Sequence, residues 1–311
     1  VKLPALRVLL ITAALGWIAG TAAAQDHLNA TVEALEAGAA TFGIFSGDRS
    51  LDNARALARS DLDFVLIDME HAAFDVETLR RFLLGMTDKT AIAATGSLQM
   101  NTTPIVRIPA TDPAGRQWMT KQVLDVGAFG VMFPFVNTRE EARGAVAAMR
   151  YPPFADDPQP EPRGTRGRAP TNAVWYWGIG YVDYLRRADV WPLDPTGELL
   201  AVIQIETRQA VANIEDIIGV PGVGAIFIGP SDLSADFGLA PSDPQVEEAI
   251  QTVLASCLEH EVPCGITTGP GDVKQRIDQG FRFMTVGGDG GITPRTDQAL
   301  RIGREAAGRS E

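Results

Sequence analysis

The strongest constraint on the fold is a rhythm. Short apolar runs alternate with stretches of helical spacing eight times between Thr41 and Ala307. An apolar run of about five residues reads as a strand buried on both faces. The strand candidates are residues 41–45, 64–67, 105–108, 130–135, 200–205, 225–228, 265–268 and 283–286. Residues 51–59, 76–86, 113–126 and 139–149 carry helical spacing, and residues 293–307 close the series. Eight alternations imply parallel pairing, with a closed (β/α)8 TIM barrel preferred to an open sheet. A chain of 311 residues, 45% hydrophobic, fills such a barrel as one domain.

The first 24 residues are a separate object. Lys2 and Arg7 form a positive start, residues 8–20 are apolar, and Ala22-Ala23-Ala24 fits a small-residue cleavage site before Gln25. The apolar stretch is shorter than the roughly 20 residues a membrane span needs, so the segment reads as a secretory signal. The expectation is a mature domain over residues 25–311, periplasmic or secreted, with no stable membrane association after cleavage. In an oxidising compartment Cys257 and Cys264 have two readings, a disulfide or two small core residues. The formal charge of −12 offers no basic stripe to displace phosphate counterions, which argues against nucleic acid as a partner.

One region breaks the rhythm. Residues 151–197 form a long insertion, proline-rich at first, then carrying Arg163, Arg166 and Arg168, then Trp175, Tyr176, Trp177, Tyr181 and Tyr184. Long loops in compact domains are usually functional or disordered. The expectation is a lid or an oligomer contact over the site, with the aromatic residues serving packing.

In a barrel, side chains at the C-terminal strand ends converge on one site. Two apolar runs end in charge there: Phe64-Val-Leu-Ile-Asp68-Met-Glu70-His71, and Val202-Ile-Gln204-Ile-Glu206 followed by Ile226-Phe-Ile-Gly229-Pro230-Ser231-Asp232. Glu206 and Asp232 are metal candidates, because a buried carboxylate needs a cation or a hydrogen-bonded partner. Two carboxylates plus water and substrate oxygens suit Mg2+ or Mn2+, with Co2+ as a further option. Zinc is disfavoured, since the chain has only His27, His71 and His260. Helix caps or arginine pairs are the plainer reading of either carboxylate alone. Asp68 and His71 form an acid/base candidate, the carboxylate fixing the imidazole tautomer. Glu70 is a supporting residue. Arg107 ends the third strand and suits a carboxylate or a developing enolate oxygen, or an internal ion pair. Gln204 shares the strand face of Glu206 and is a substrate-binding candidate. The Gly229–Asp232 turn, Ser231 included, exposes backbone N–H groups suited to an anion.

Taken together, Ile67-Asp68-Met-Glu70-His71, Val106-Arg107, Lys121-Gln122-Val-Leu-Asp125-Val-Gly127, Tyr151-Pro152-Pro153, Gln204-Ile-Glu206-Thr-Arg208 and Phe227-Ile-Gly229-Pro230-Ser231-Asp232-Leu-Ser234 closely resemble the HpcH/HpaI type of metal-dependent, pyruvate-utilising class II aldolases. The resemblance runs from about Thr41 to near the C-terminus. It implies a barrel of the phosphoenolpyruvate/pyruvate-binding superfamily, assembled as a hexamer or trimer with an exchanged C-terminal helix. It implies Glu206 and Asp232 as ligands of a divalent cation chelated by pyruvate, Arg107 on the keto or enolate oxygen, and Gln204 and Ser231 lining the pyruvate site. It implies His71, oriented by Asp68, for acid/base work, and Asp125 as a carboxylate near a subunit boundary. The reaction implied is reversible aldol cleavage of a 4-hydroxy-2-oxo acid to pyruvate and an aldehyde. The sequence departs from the family pattern at Met69, where many members have Gly. It departs again in the long insertion, in the absence of a basic residue at 172–175, and in the glycine-rich stretch 287–291. Two other functions keep the same residues: an acyl-CoA lyase or thioesterase of the citrate-lyase-like branch, and a non-catalytic exported 2-oxo-acid-binding protein.

Overall fold

Parallel strands close on themselves. The computed structural model describes residues 27–153, 158–288 and 291–309; the segment 1–24, expected to be a secretory signal, lies outside them. Among the described residues the strands are β1 (Thr41–Ser46), β2 (Phe64–Asp68), β3 (Thr103–Arg107), β4 (Gly130–Phe133), β5 (Val190–Trp191), β6 (Leu199–Ile205), β7 (Ala225–Ile228), β8 (Cys264–Thr267) and β9 (Phe283–Thr285). The order is β4-β3-β2-β1-β9-β8-β7-β6, and β4 pairs with β6 to complete an eight-stranded barrel. The two-residue β5 adds only at the start of β6.

Strand parity sorts the side chains. Phe64, Leu66, Ile105, Met132, Leu200, Val202, Phe227 and Phe283 pack inside the barrel. Their neighbours Val65, Ile67, Val106, Val131, Ala201 and Ile203 meet the surrounding helices. This is the period-2 alternation of a strand, applied to a closed sheet. Each large interior side chain contributes about 1.5–3 kcal/mol on burial. Phe64 and Phe283 stack at 4.1 Å.

The N-terminal end of the barrel is plugged. Helix α1 (Ala30–Glu36) sends Val32 and Leu35 into the interior cluster. Asn29 caps it, its side-chain oxygen accepting from the N–H groups of Thr31 and Val32. The buried Glu198, just before β6, accepts the N–H groups of Leu28 (3.1 Å) and Asn29 (2.9 Å) and pairs with Arg187.

The insertion is not a lid. It follows the helix Arg139–Met149 and precedes β6, so it is a helix-to-strand connection at the N-terminal end of the barrel, remote from the strand ends that carry the site. Its helices Thr171–Trp177 and Tyr181–Arg187 pack there: the Trp177 indole N–H donates to the carbonyl of Gly127 (2.9 Å) and its ring stacks on Phe129 at 4.3 Å. Tyr176, Trp177 and Tyr184 serve packing, as expected, whereas Trp175 and Tyr181 are exposed. Arg166 is buried, its guanidinium donating to Asp125 Oδ1 (2.9 Å) and the Tyr184 hydroxyl (3.0 Å). Residues 154–157 of the proline-rich part are outside the described residues.

The C-terminal helix Pro294–Ala306 lies on its own barrel in this single chain, with Ala299 and Leu300 buried and Arg309 just beyond it paired with Asp63. Cys257 and Cys264 are buried free thiols. Among the described residues no helix is long and apolar enough to cross a membrane.

Candidate active site

Inner-face parity carries the chemistry to the mouth. Asp68 stands two residues after Leu66, Arg107 two after Ile105, and Gln204 and Glu206 two and four after Val202. All four are buried, with at most 8% of their surface exposed. Register then pairs Asp68 of β2 directly with Arg107 of β3.

The Arg107 guanidinium forks onto Asp68, with Nε 3.1 Å from Oδ1 and Nη2 2.5 Å from Oδ2. Asp68 Oδ1 also accepts the N–H groups of Glu70 (3.0 Å) and His71 (3.2 Å), which fixes the turn after β2. Arg107 further reaches Glu70 Oε2 at 3.3 Å and His71 Nδ1 at 3.0 Å. Beneath it the ring of Phe45 lies 4.4 Å from the guanidinium carbon, a cation–π contact. The expected direct Asp68–His71 hydrogen bond gives way to this arrangement: His71 Nδ1 stands 3.5 Å from Asp68 and 3.7 Å from Glu70. The reason is register, because the planar fork directly opposite a carboxylate satisfies both of its oxygens. Asp68 therefore orients His71 through Arg107 and through the backbone.

Glu206 is held by neutral donors. Its Oε1 accepts the N–H of Phe135 (2.8 Å) and its Oε2 the side-chain amide of Gln204 (2.6 Å). Gln204 Oε1 is buried and accepts from no group among the described residues. A Cβ at Gly229 would sit 2.7 Å from Glu206 Oε2 and 2.9 Å from Gln204 Nε2, so a larger residue there would displace these two side-chain ends. Beyond it the helix Pro230–Phe237 begins with no side-chain cap and carries Asp232 in its first turn. Asp232 is half-buried and Ser231 exposed.

The electrostatics divide the site. Burial pushes Asp68 up, but Arg107 and the two backbone N–H groups bring it below the usual carboxylate value. Burial pushes Glu70 up, and the charges of Asp68 and Asp232 add to this while Arg107 and His71 oppose it. Burial, with the charges of Asp232 and Glu70, pushes Glu206 up to about 7 despite the Phe135 N–H and Arg107. Glu206, Glu70 and Asp232 thus feel one another's charge, and Arg107 already serves Asp68. Among the described residues no cluster of three or more His, Cys, Asp or Glu side chains forms a ready metal cage.

Asp125 does not join this group. It ends the helix Pro113–Asp125 at the other end of the barrel, bound to Arg166 and Lys121. A cavity of about 330 Å³ among Arg150, Gln159, Arg186 and Thr196 also belongs to the insertion.

Residues 41–294 match the family model described as HpcH/HpaI aldolase/citrate lyase. The chain belongs to the HpcH/HpaI family. It is similar to a 2-dehydro-3,6-dideoxy-6-sulfogluconate aldolase from Pseudomonas putida, 34% identical over 80% of this chain and 87% of the relative. It is similar to a 4-hydroxy-2-oxo-heptane-1,7-dioate aldolase from Escherichia coli, 35% identical over 89% of this chain and 96% of the relative. A crystal structure of an HpcH/HpaI family protein from Burkholderia cenocepacia superposes with a TM-score of 0.68 at 31% identity, covering 89% of this chain and 97% of that one. In this HpcH/HpaI barrel, sequence reasoning missed Phe45 and Phe135. Phe45 carries a readable signal, an aromatic residue near the C-terminal end of the first strand. Phe135 carries none, because it acts through its backbone.

Proposed function

We propose that this protein catalyses reversible aldol cleavage of a 4-hydroxy-2-oxo acid to pyruvate and an aldehyde, with Glu206 and Asp232 holding a divalent cation, Mg2+ or Mn2+ before Co2+. The observation that carries the reading is the pairing of an acid–arginine–histidine group with a second pair of carboxylates, Glu206 and Asp232, that has no salt-bridge partner of its own among the described residues. Glu206 is buried, held only by neutral donors and repelled by Asp232 and Glu70. Burial of such a carboxylate is unfavourable without a cation or a proton. Two carboxylates plus the orphaned Gln204 carbonyl, which can accept from bound water, fit a hard cation that keeps water and substrate oxygens as its other ligands. When bound, such a cation polarises the 2-oxo group as a Lewis acid.

The protein's own residues do the rest. In the cleavage direction the C3–C4 bond breaks, the C4 hydroxyl loses its proton, and the electron pair moves to the 2-oxo oxygen. Arg107, fixed by Asp68 and Phe45, stabilises that developing negative charge. With Arg107 donating to Nδ1, the His71 proton stands on Nε2. To accept the C4 hydroxyl proton at Nε2, His71 must instead hold Nδ1–H, facing Asp68 or Glu70 at 3.5 and 3.7 Å; the imidazolium so formed then returns that proton to C3 of the pyruvate enolate. The product is a carbon–carbon lyase activity.

The aldolase names of the relatives support this reading, and the acyl-CoA and binding-only alternatives have no specific observation in their favour. The signal-like segment at 1–24 supports a periplasmic or secreted location, and the family resemblance supports a homo-hexamer or trimer. The test is proton NMR of pyruvate in D2O with the chain from Gln25, Mn2+ or Mg2+, and a chelator control. Metal-dependent loss of the methyl signal is the expected result. Retention of that signal while pyruvate binds would sink the aldolase reading.

A further inference from the structure

We propose that Asn137, braced by Thr207, is a positioning residue that holds Glu206 in place for the cation; this rests on the metal-site reading above. The starting observation is backbone strain. Phe135 has φ of 51°, a left-handed conformation that bulky residues avoid and glycine adopts freely. Such conformations persist where surrounding contacts impose them, and they concentrate at functional sites.

The imposed contact is visible. The Asn137 side-chain amide donates to the carbonyl of Phe135 at 3.0 Å. The N–H of Phe135 in turn donates to Glu206 Oε1 at 2.8 Å. Asn137 is itself fixed from three sides. Its N–H donates to Glu141 Oε2 (2.7 Å), its carbonyl accepts from the Asn213 side chain (2.8 Å), and its side-chain oxygen accepts from the Thr207 hydroxyl. Thr207 directly follows Glu206 and caps the next helix, its hydroxyl accepting the N–H of Ala210 at 3.0 Å. The chain of bonds is therefore a closed ring: Glu206 to Phe135, Phe135 to Asn137, Asn137 to Thr207, and Thr207 back to Glu206 through one peptide bond. It ties the ends of β4 and β6, neighbouring strands in the barrel. With Oε1 taken by Phe135 and Oε2 by Gln204, the carboxylate is held in one rotamer before any cation arrives. Fixed outer partners of this kind orient a ligand and raise its effective affinity.

The experiment uses the full mature chain and Mn2+ as probe, with calorimetric titration and hydrogen exchange at the Phe135 amide. Asn137→Ala removes the donor to Phe135 without adding charge, whereas Asn137→Asp removes the same donor, keeps an acceptor for Thr207 and adds a negative charge, so an effect shared by both reports the bond. Asn137→Asp and Asn137→Ala are each expected to weaken Mn2+ binding by about 10- to 100-fold and to speed Phe135 exchange. Thr207→Ser is expected to stay near wild type, while Thr207→Val follows Asn137→Ala. Thermal unfolding without metal identifies variants that lose affinity only by failing to fold. Glu206→Gln separates the two ideas. If it abolishes binding while Asn137→Ala stays within twofold of wild type, the ring is overturned and the metal site stands. If it binds Mn2+ as wild type does, the metal-site reading fails. Even then, unchanged Phe135 exchange in Asn137→Asp overturns the ring, because that readout needs no metal.

Discussion

Two buried glutamates bracket the same strand. Glu198 stands just before β6 and Glu206 just after it, with 0% and 1% of their surface exposed. Glu198 accepts two backbone N–H groups and pairs with Arg187 and His27. Burial pushes it up, but these partners bring it below the usual value. Glu206 has one backbone N–H, one neutral amide and two like charges for neighbours, and it is pushed up to about 7. Burial alone is therefore no mark of a functional site. The mark is burial whose electrostatic compensation is incomplete. The Glu198 carboxylate at the closed end is compensated by the chain itself, whereas at the open end Arg107 faces four carboxylates, Asp68, Glu70, Glu206 and Asp232.

The most severe way to break this comparison is to neutralise each glutamate in turn. Glu206→Gln is expected to lower turnover by about 10³-fold or more, because Lewis-acid stabilisation amounts to several kcal/mol. Glu198→Gln is expected to leave turnover of the folded protein nearly unchanged but to destabilise it by about 3 kcal/mol, since the Leu28 and Asn29 N–H groups, Arg187 and His27 lose a fully buried charged acceptor. Urea unfolding and steady-state assays read the two effects separately, and the reverse pattern would refute the division.

Next in size is His71→Ala, expected to cost about 10²- to 10⁴-fold in turnover while Mn2+ titration stays close to wild type. A parallel loss of metal affinity would move His71 from the acid–base group to the metal group.

The third effect is on stability against pH. Glu206 has a folded value of about 7 against 4.5 for the ordinary carboxyl. The folded state holds its proton through that window, so its stabilising effect is complete below 4.5 and is lost as pH rises through 7. Metal-free protein is expected to lose about 3 kcal/mol across this window. Glu206→Gln should flatten the curve, and saturating Mn2+ should restore stability at high pH. A flat wild-type curve would show that Glu206 is already compensated.

The smallest effect belongs to the closed end. Hydrogen bonding to Glu198 raises His27 above 6.5 despite its burial. That stabilisation is complete below 6.5 and lost as pH rises through the raised value. His27→Gln is expected to cost about 1 kcal/mol at pH 5.5 and little at pH 9, as chemical denaturation would show.

What the sequence alone determined follows from short-range periodicity. Apolar runs located all eight barrel strands to within a few residues, and counting by two from Leu66, Ile105 and Val202 put Asp68, Arg107, Gln204 and Glu206 on the inner face. The motif resemblance gave the family. The order of elements also contained the position of the insertion, which follows a helix and so belongs to the closed end; reading it as a lid overlooked that polarity. Other features needed the closed barrel. Asp68 bonds Arg107 rather than His71 because β2 and β3 align those two residues. Asp125 is drawn to Arg166, 41 positions away. The amide of Phe135 reaches Glu206 across 71 positions, and a backbone N–H looks the same in every residue but proline. Periodicity tells which way a side chain faces, but only barrel closure and strand register decide which group it meets there.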